Sequence, residues 1–271
     1  MKYSKDSLGN RMKGYEDVYR LYLPKRLPLI LRCDGIAFHT YTRKCKRPFD
    51  ENLISVMNEA AIAICKEAQG ARLAYVQSDE ITVLIYEPDF EAEPWFNNNI
   101  NKILSASATC IASSVSLASK RIFGTSKKAK FDARVFPLPF DEVVNEFIWR
   151  QADCTRNSVQ MYARSLYSHK ELKEKKNKEL QEMLFKKGIN WNNIPIYQKR
   201  GRCVIKKDES KTVIRNGKTI ISDRSSWVVD EHIPIFSKNR DYIESRLYDI
   251  SYFEKIKEEY LRLLPIFETK K

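Results

Sequence analysis

The sequence lacks the features that zinc sites, disulfide scaffolds and membrane spans require. Its six cysteines, at positions 33, 45, 65, 110, 154 and 203, include no Cys-x-x-Cys pair, and only three histidines accompany them. This pattern argues against a zinc site or a disulfide framework, so we expect reduced thiols in a cytoplasmic protein. No apolar run approaches membrane-spanning length, and we expect no signal peptide, because no long apolar core follows the first charges.

Positive charge is in excess in the composition. Lysine and arginine number 48 against 35 aspartates and glutamates, a net charge of +13. This excess favours a polyanionic partner, although it also occurs in soluble proteins without one. A membrane surface is the rival partner, but the sequence has no lipidation motif and no clear basic amphipathic anchor. With 43% hydrophobic residues, we expect a globular chain with a sizeable core.

A short apolar run ends in the dipeptide Asp34-Gly35. Leu29 to Leu31, continued by Arg32-Cys33, predict a buried strand. A carboxylate at the end of such a strand faces a crevice from a rigid base, and glycine lets backbone come close to a ligand. Taken alone, Asp-Gly is more typical of an ordinary turn.

A second acidic segment lies between two strand-like runs. Ala71 to Val76 and Ile81 to Tyr86 predict a hairpin with Gln77-Ser78-Asp79-Glu80 at its tip. Acidic tips are usually solvated turns, but these flanks are apolar enough for the centre of a sheet. If the first strand pairs beside the hairpin, Asp34 and Asp79 face each other. Two such carboxylates are the minimum holder for two Mg²⁺ ions roughly 4 Å apart, which serve phosphoryl transfer.

The remaining pattern predicts an α+β fold with an antiparallel sheet. We expect helices over 3–24, 53–65, 97–123, 142–184 and 240–264, and further strands over 131–138, 201–205, 211–214 and 218–221. Asp50 is a predicted N-cap, and Asn216-Gly217 predicts a type I′ hairpin. The order strand, helix, two strands, helix, strand is ferredoxin-like and also that of polymerase palm domains. We therefore expect a palm-like catalytic domain over 1–140 and a helical and β-hairpin region over 141–271.

Five sequence blocks resemble those of one known family. Arg32 to His39 resembles its Arg-x-Asp-Gly-x-x-Phe-His signature, and Gln77 to Glu80 its Gln-Ser-Asp-Glu signature. The other blocks are Ser7 to Lys13 with Tyr15-Glu16, Phe131 to Arg134, and Trp149 to Cys154. Their order and spacing resemble those of the tRNA-histidine guanylyltransferases and the guanylyltransferase-like proteins, which are 3′-to-5′ nucleotide polymerases with a palm fold.

The resemblance implies a site with two Mg²⁺ ions and a bound nucleotide. In it Asp34, Asp79 and the Gly35 carbonyl hold the metals, and Glu80 is a further catalytic candidate. The implied nucleotide contacts are Asp34, Gly35, Ile36, Ala37, Phe38, His39, Ser78, Asp79 and Lys102. Without the resemblance, a lone histidine is more often structural, and a helical lysine is as often merely exposed.

Two groups of basic residues lie close to the predicted site. The run from Thr40 to Phe49 contains four lysines and arginines directly after the Asp-Gly signature. Phosphate contact is as probable there as a solvated face. Arg134 follows Asp132 in a predicted strand, and a charge at such a position is structural or binds phosphate.

One block departs from the strict family pattern. Thr155 to Met161 stands where the strict enzymes have a block resembling His-Ile-Asn-Asn-Leu-Tyr-Asn, and only Asn157 clearly matches. The departure favours the guanylyltransferase-like branch, which extends 5′-truncated tRNA against the opposite strand. The implied reaction activates a 5′-monophosphate with ATP or uses a 5′-triphosphate directly. We therefore expect a template-dependent enzyme acting on tRNA with GTP and ATP, assembled as a homo-oligomer, a tetramer in relatives. The alternatives are a strict tRNA-histidine guanylyltransferase, a non-catalytic RNA-binding protein and a palm-fold nucleotide cyclase.

Overall fold

The strands of the protein form one antiparallel sheet. The computed structural model describes residues 7–89, 92–125, 127–215 and 218–247, with side chains between 209 and 223 left out. The strands are β1 Leu29–Gly35, β2 Ala71–Gln77, β3 Glu80–Ile85, β4 Phe131–Pro137, β5 Arg202–Arg215 and β6 Lys218–Asp230. Their order across the sheet is β4-β1-β3-β2-β5-β6. The first four strands thus have the ferredoxin-like order, and the predicted α+β palm fold is confirmed.

The helices pack on both faces of this sheet. They are α1 Leu8–Asp17, α2 Phe38–Tyr41, α3 Glu51–Glu67, α4 Ile100–Phe123, α5 Phe140–Leu166, α6 His169–Leu172, α7 Asn177–Lys186, α8 Ile196–Arg200 and α9 Asp241–Leu247. Short 3₁₀ turns cover Trp95–Asn98 and Trp191–Asn193. None of the helices in the described part is long and apolar enough to cross a membrane.

Alternation along the strands divides the core into two layers. Leu31 and Cys33 of β1 belong to the apolar cluster that includes residues of α3 and α4. Ile30 belongs to the cluster on the opposite face, with Val143 and Phe147 of α5. Because successive strand residues point to opposite faces, Arg32 and Asp34 share the α5 face with Ile30.

The start of α3 confirms the predicted cap. The Asp50 carboxylate accepts hydrogen bonds from the amides of Asn52 at 3.0 Å and Leu53 at 3.3 Å. It also accepts one from the Lys46 amide at 2.8 Å, which ties the preceding basic loop to the helix. The two bonds from Asn52 and Leu53 satisfy amides that the first helical turn leaves without partners.

Two predicted helices end earlier than expected. Helix α1 ends at Asp17 because the following segment pairs with the start of α4: the Leu23 amide donates to Asn98 and the Ile100 amide to Leu21. The helix predicted over 142–184 is three helices, since α5 ends at Leu166 and Ser168 caps α6. Residues 3–6 and 248–264 of the predicted helices lie outside the described residues.

The three short strands predicted near the carboxyl terminus are two long strands in the structure. Strands β5 and β6 have 14 and 13 residues, and their register runs from Cys203 opposite Asp230 to Arg215 opposite Lys218. The predicted Asn216-Gly217 turn itself lies outside the described residues. Charged and polar residues between the apolar runs obscured their continuity, because backbone pairing between two strands does not require unbroken apolar alternation. The domain division at residue 140 stays a prediction.

Candidate active site

Strand pairing brings the two predicted carboxylates to one end of the sheet. Strands β1 and β3 pair up to Cys33 opposite Ile81, so Asp34 continues β1 toward the hairpin tip. The last pair of the hairpin is Gln77 with Glu80, which leaves Ser78 and Asp79 as a two-residue turn. Ser78 has a φ of 47°, the positive value that tight hairpin turns require.

Gly35 is packed directly against this turn. A Cβ placed on it would lie 2.5 Å from the Phe38 ring and 2.8 Å from Oδ2 of Asp79. Both distances are far below ordinary contact, so any side chain here would displace the carboxylate or the ring. The missing Cβ therefore lets the backbone after Asp34 approach Asp79 closely.

The two carboxylates have raised pKa values. For Asp34 burial is the main cause, followed by the charges of Glu80 and Asp132. For Asp79 burial is again the main cause and the charge of Asp34 adds to it, while a hydrogen bond from Ser78 acts in the opposite direction. Burial and charge repulsion both disfavour the ionised form of these carboxylates. A bound cation would favour that form and so offset both effects.

Glu80, in contrast, is held by an arginine of α5. Its carboxylate accepts hydrogen bonds from Arg150 Nε at 2.8 Å and Arg150 Nη2 at 2.6 Å. The side chains of Gln77 and Thr82 donate to the same carboxylate at 3.0 and 3.2 Å. The catalytic role predicted for Glu80 stays a prediction, and these bonds show that it anchors α5 to the hairpin.

A cavity of about 440 Å³ opens beside Asp79. It brings together six of the predicted nucleotide contacts, namely Gly35, Ala37, Phe38, His39, Ser78 and Asp79. Ala37 adopts a left-handed conformation with φ 52°, which turns the chain from β1 into α2. This volume lies within the usual range for small-molecule sites.

Three predicted contacts are not in the cavity wall. Asp34 lies outside the lining, and Ile36, whose amide donates to the Lys130 carbonyl at 2.9 Å, is half exposed. Lys102 lines a separate groove with Ser105 and Thr109 of α4. These three nucleotide contacts therefore stay predictions.

The far wall of the cavity comes from residues that were not predicted as site residues. Asp50 of the α3 cap lines it, as do Asn157 and Ser158 of α5 and Arg202 of β5. Arg202 is buried and hydrogen-bonds to Asn58, and burial lowers its pKa to about 10. Some of these positions carried a sequence signal of another kind: Asp50 as a helix cap, and Asn157 and Ser158 as part of the block that departs from the strict family pattern.

The donor set suits a hard divalent cation. Within the described residues, no group of three or more His, Cys, Asp or Glu residues forms a metal-binding cluster. The available ligands are thus the carboxylates of Asp34 and Asp79 with the Gly35 carbonyl. Mg²⁺ commonly takes one or two carboxylates and completes its shell with water and substrate phosphates, so these residues fit it.

Comparisons with known proteins decide the family. A family model described as tRNAHis guanylyltransferase matches residues 9–139. A probable tRNA(His) guanylyltransferase of Dictyostelium discoideum is 30% identical over 78% of this chain and 86% of its own. The chain belongs to the tRNA(His) guanylyltransferase family.

Solved structures in this family share the fold. A bacterial tRNA(His) guanylyltransferase-like protein in complex with ATP is 41% identical with a TM-score of 0.81, over 89% of this chain and 99% of that one. The corresponding GTP complex is 39% identical with a TM-score of 0.74, over 90% of this chain and 100% of that one. The predicted family and the predicted enzyme class, nucleotidyltransferase, are confirmed.

Replacing Asp79 should stabilise the metal-free protein. Because the pKa values of Asp34 and Asp79 are raised, the folded state binds protons more readily than the unfolded state, and the stability that these groups contribute falls as pH rises above about 4. We expect Asp79→Asn to melt at a higher temperature than the wild type at pH 7.5 in EDTA, with a smaller difference at pH 4. Thermal melts across this range measure it.

Magnesium provides the second half of this test. Added Mg²⁺ should raise the melting temperature of the wild type and leave that of Asp79→Asn unchanged, because binding to the folded state alone is stabilising. An Asp79→Asn protein that melts below the wild type without metal, or gains equally from Mg²⁺, would contradict the site.

Loss of the Glu80 carboxylate, the partner of Arg150, should destabilise the fold. The Glu80 and Arg150 side chains are 13% and 10% exposed, and removing one member of a buried ion pair costs about 3 kcal/mol. We expect this loss for Glu80→Gln in urea denaturation. The matched control is Glu59→Gln, whose pair with Arg121 is exposed and contributes about 1 kcal/mol at most. Equal losses in the two variants would refute the anchoring role.

Proposed function

We propose that this protein is a template-dependent 3′-5′ nucleotidyltransferase that adds nucleotides to the 5′ end of truncated tRNA. The observation that carries the proposal is the placement of Asp34 and Asp79 at one sheet end, beside a nucleotide-sized cavity. The ATP and GTP complexes of the bacterial relatives support nucleoside triphosphates as substrates. The family name supports tRNA as the acceptor.

Some residues of the site would bind the metal ions and others would contact the nucleotide. Asp34, Asp79 and the Gly35 carbonyl would hold two Mg²⁺ ions, which neutralise phosphate charge and activate the attacking oxygen when bound. Ser78 and His39 line the cavity beside Asp79, where they can contact a nucleotide. Lys102 would meet the triphosphate only if the nucleotide extends beyond the cavity toward α4.

The changed block on α5 supports template dependence. Asn157, Ser158 and Met161 from this block line the cavity, so the departure from the strict pattern lies in the wall of the site itself. The histidine of the strict enzymes is absent from this block. Base pairing with the opposite RNA strand would then select the nucleotide that is added. The strict guanylyltransferase remains the alternative reaction. The preserved carboxylates argue against a non-catalytic RNA-binding protein, and the family signatures argue against a cyclase.

An exposed apolar helix supports self-association. Helix α1 has no buried residue, and Leu8, Tyr15, Val18 and Tyr19 on and just after it are 64 to 75% exposed. A face of this kind is costly in water and is typical of protein interfaces. We propose that a second copy of the chain covers it in a homo-oligomer, the tetramer that the family resemblance implies. A cytoplasmic location, consistent with six free cysteines, stays a prediction.

The template test uses one tRNA in four versions. Each lacks its first nucleotide and differs only in the base that faces the missing position. We expect the added base to be the complement in every version, because pairing selects it, and the identity of the anticodon to have no effect. Sequencing of the 5′ ends measures the product. Addition of guanosine to all four, dependent on a histidine anticodon, would establish the strict alternative instead.

The self-association test charges the exposed helix. We expect the double variant Tyr15→Glu and Tyr19→Glu to lose the oligomer mass in light scattering, because two charges cannot be buried in an apolar interface. Leu117→Glu is the control, since Leu117 is also 70% exposed but lies on α4. Retention of the wild-type mass by the double variant would rule out α1 as the interface.

A further inference from the structure

An exposed tryptophan lies on the palm face that carries Asp34. Trp149 of α5 is 53% exposed, an unusual degree for a side chain with so much apolar surface. It belongs to a sequence block shared with the family, yet it lines neither the nucleotide cavity nor any of the other described cavities.

Buried arginines fix the orientation of this indole. The guanidinium carbon of Arg150 lies 4.6 Å from the ring centroid, and that of Arg32 lies 5.5 Å from it. Each arginine is itself fixed, Arg32 by Glu146 at 3.3 Å and Arg150 by Glu80. Because their side chains are only 15% and 10% exposed, they contact the ring from its protein side. The exposed part of the indole therefore faces outward and is held rigid.

The indole contacts an arginine of the strand that carries Asp34. Arg32 and Asp34 are two residues apart on β1, so their side chains share one face and are about 7 Å apart along the strand. The nucleotide cavity reaches from the end of β1 to β5 and does not include Trp149, which contacts Arg32 of β1. The nucleotide site and the aromatic surface are therefore separate features of this part of the sheet.

Two exposed arginines lie on the elements next to the tryptophan, β4 and α5. Arg134 of β4, opposite Arg32 in the sheet, is 50% exposed and only loosely paired with Asp132 at 3.4 Å. Arg156 lies two turns after Trp149 on α5, is 57% exposed and pairs with Asp153 of the same helix. Phosphate groups can replace such exposed carboxylate partners, which favours a nucleic acid over an apolar protein segment as the occupant.

We propose that Trp149 is a stacking platform for the terminal base of the RNA acceptor, with Arg134 and Arg156 contacting its backbone phosphates. Every base offers a face to an aromatic ring, so such a platform positions the RNA end without selecting sequence, as a template-dependent enzyme requires. The inference rests on the proposed function for its choice of RNA as the ligand. Trp149 acts here as a positioning residue for the 5′ end.

Tryptophan fluorescence tests the contact without any reaction. The probe is a tRNA lacking its first nucleotide, titrated in EDTA so that no transfer takes place. Stacking should quench the wild-type emission, and Trp149→Phe should lose most of that quenching although the other three tryptophans remain. Titration with GTP alone should leave the Trp149 signal unchanged. Equal quenching of the wild type and Trp149→Phe, or quenching by GTP alone, would overturn the proposal.

Affinity gives the second readout. We expect Trp149→Ala to weaken binding of this RNA by about 5- to 150-fold, the equivalent of one lost stacking contact, with a matching rise in the KM for RNA and little change in that for GTP. Trp149→Phe should stay within about threefold of the wild type, because phenylalanine still stacks. Phe123→Ala, on α4, is the matched control and should bind normally. Unchanged RNA binding by Trp149→Ala would refute the platform.

The two proposals fail in different ways. If the wild type adds nucleotides by template but Trp149→Ala and Trp149→Phe behave as the wild type does, the platform is wrong and the proposed function stands. If Trp149-dependent quenching by RNA occurs but no nucleotide is added, the platform stands and the proposed reaction is wrong.

Discussion

The antiparallel register between β1 and β3 determines where every group of the site lies. It places Asp34 beside the turn that carries Asp79, two residues separated by 45 positions in the sequence. Gly35 allows the final approach, since a Cβ there would meet the Asp79 carboxylate. A shift of one residue would turn Asp34 toward the α3 face and destroy the pair. The apolar side chains of β1, buried alternately on two faces, prevent that shift.

The same arrangement places like charges close together, which is costly for folding. Burial and repulsion raise the pKa values of Asp34 and Asp79, so in the metal-free state this part of the sheet is destabilising. The neighbouring carboxylate of Glu80 has instead a bidentate arginine partner, which secures α5 over the sheet, and it accepts two further hydrogen bonds, from Gln77 and Thr82. A stabilising ion pair next to two carboxylates that have no cationic partner is typical of sites that bind a cation.

Local patterns allowed much of this site to be predicted from the sequence. The apolar run before Asp34, the hairpin around Asp79 and the cap at Asp50 each depend on neighbours within a few residues. The far wall of the cavity could not be predicted, because α5, α8 and β5 reach it only through tertiary packing. Tyr197, for example, contacts Glu51 across 146 positions. The end of α1 was missed for the same reason, since its continuation pairs with the start of α4.

We propose that Asp34 and Asp79 together hold divalent cations. Anomalous diffraction from crystals soaked with Mn²⁺ and GTP tests it most directly, because Mn²⁺ substitutes for Mg²⁺ and its position is measured rather than inferred. We expect two anomalous peaks roughly 4 Å apart, in contact with both carboxylates and the Gly35 carbonyl. A peak that contacts neither carboxylate, or peaks that persist unchanged in Asp34→Asn and Asp79→Asn crystals, would contradict it.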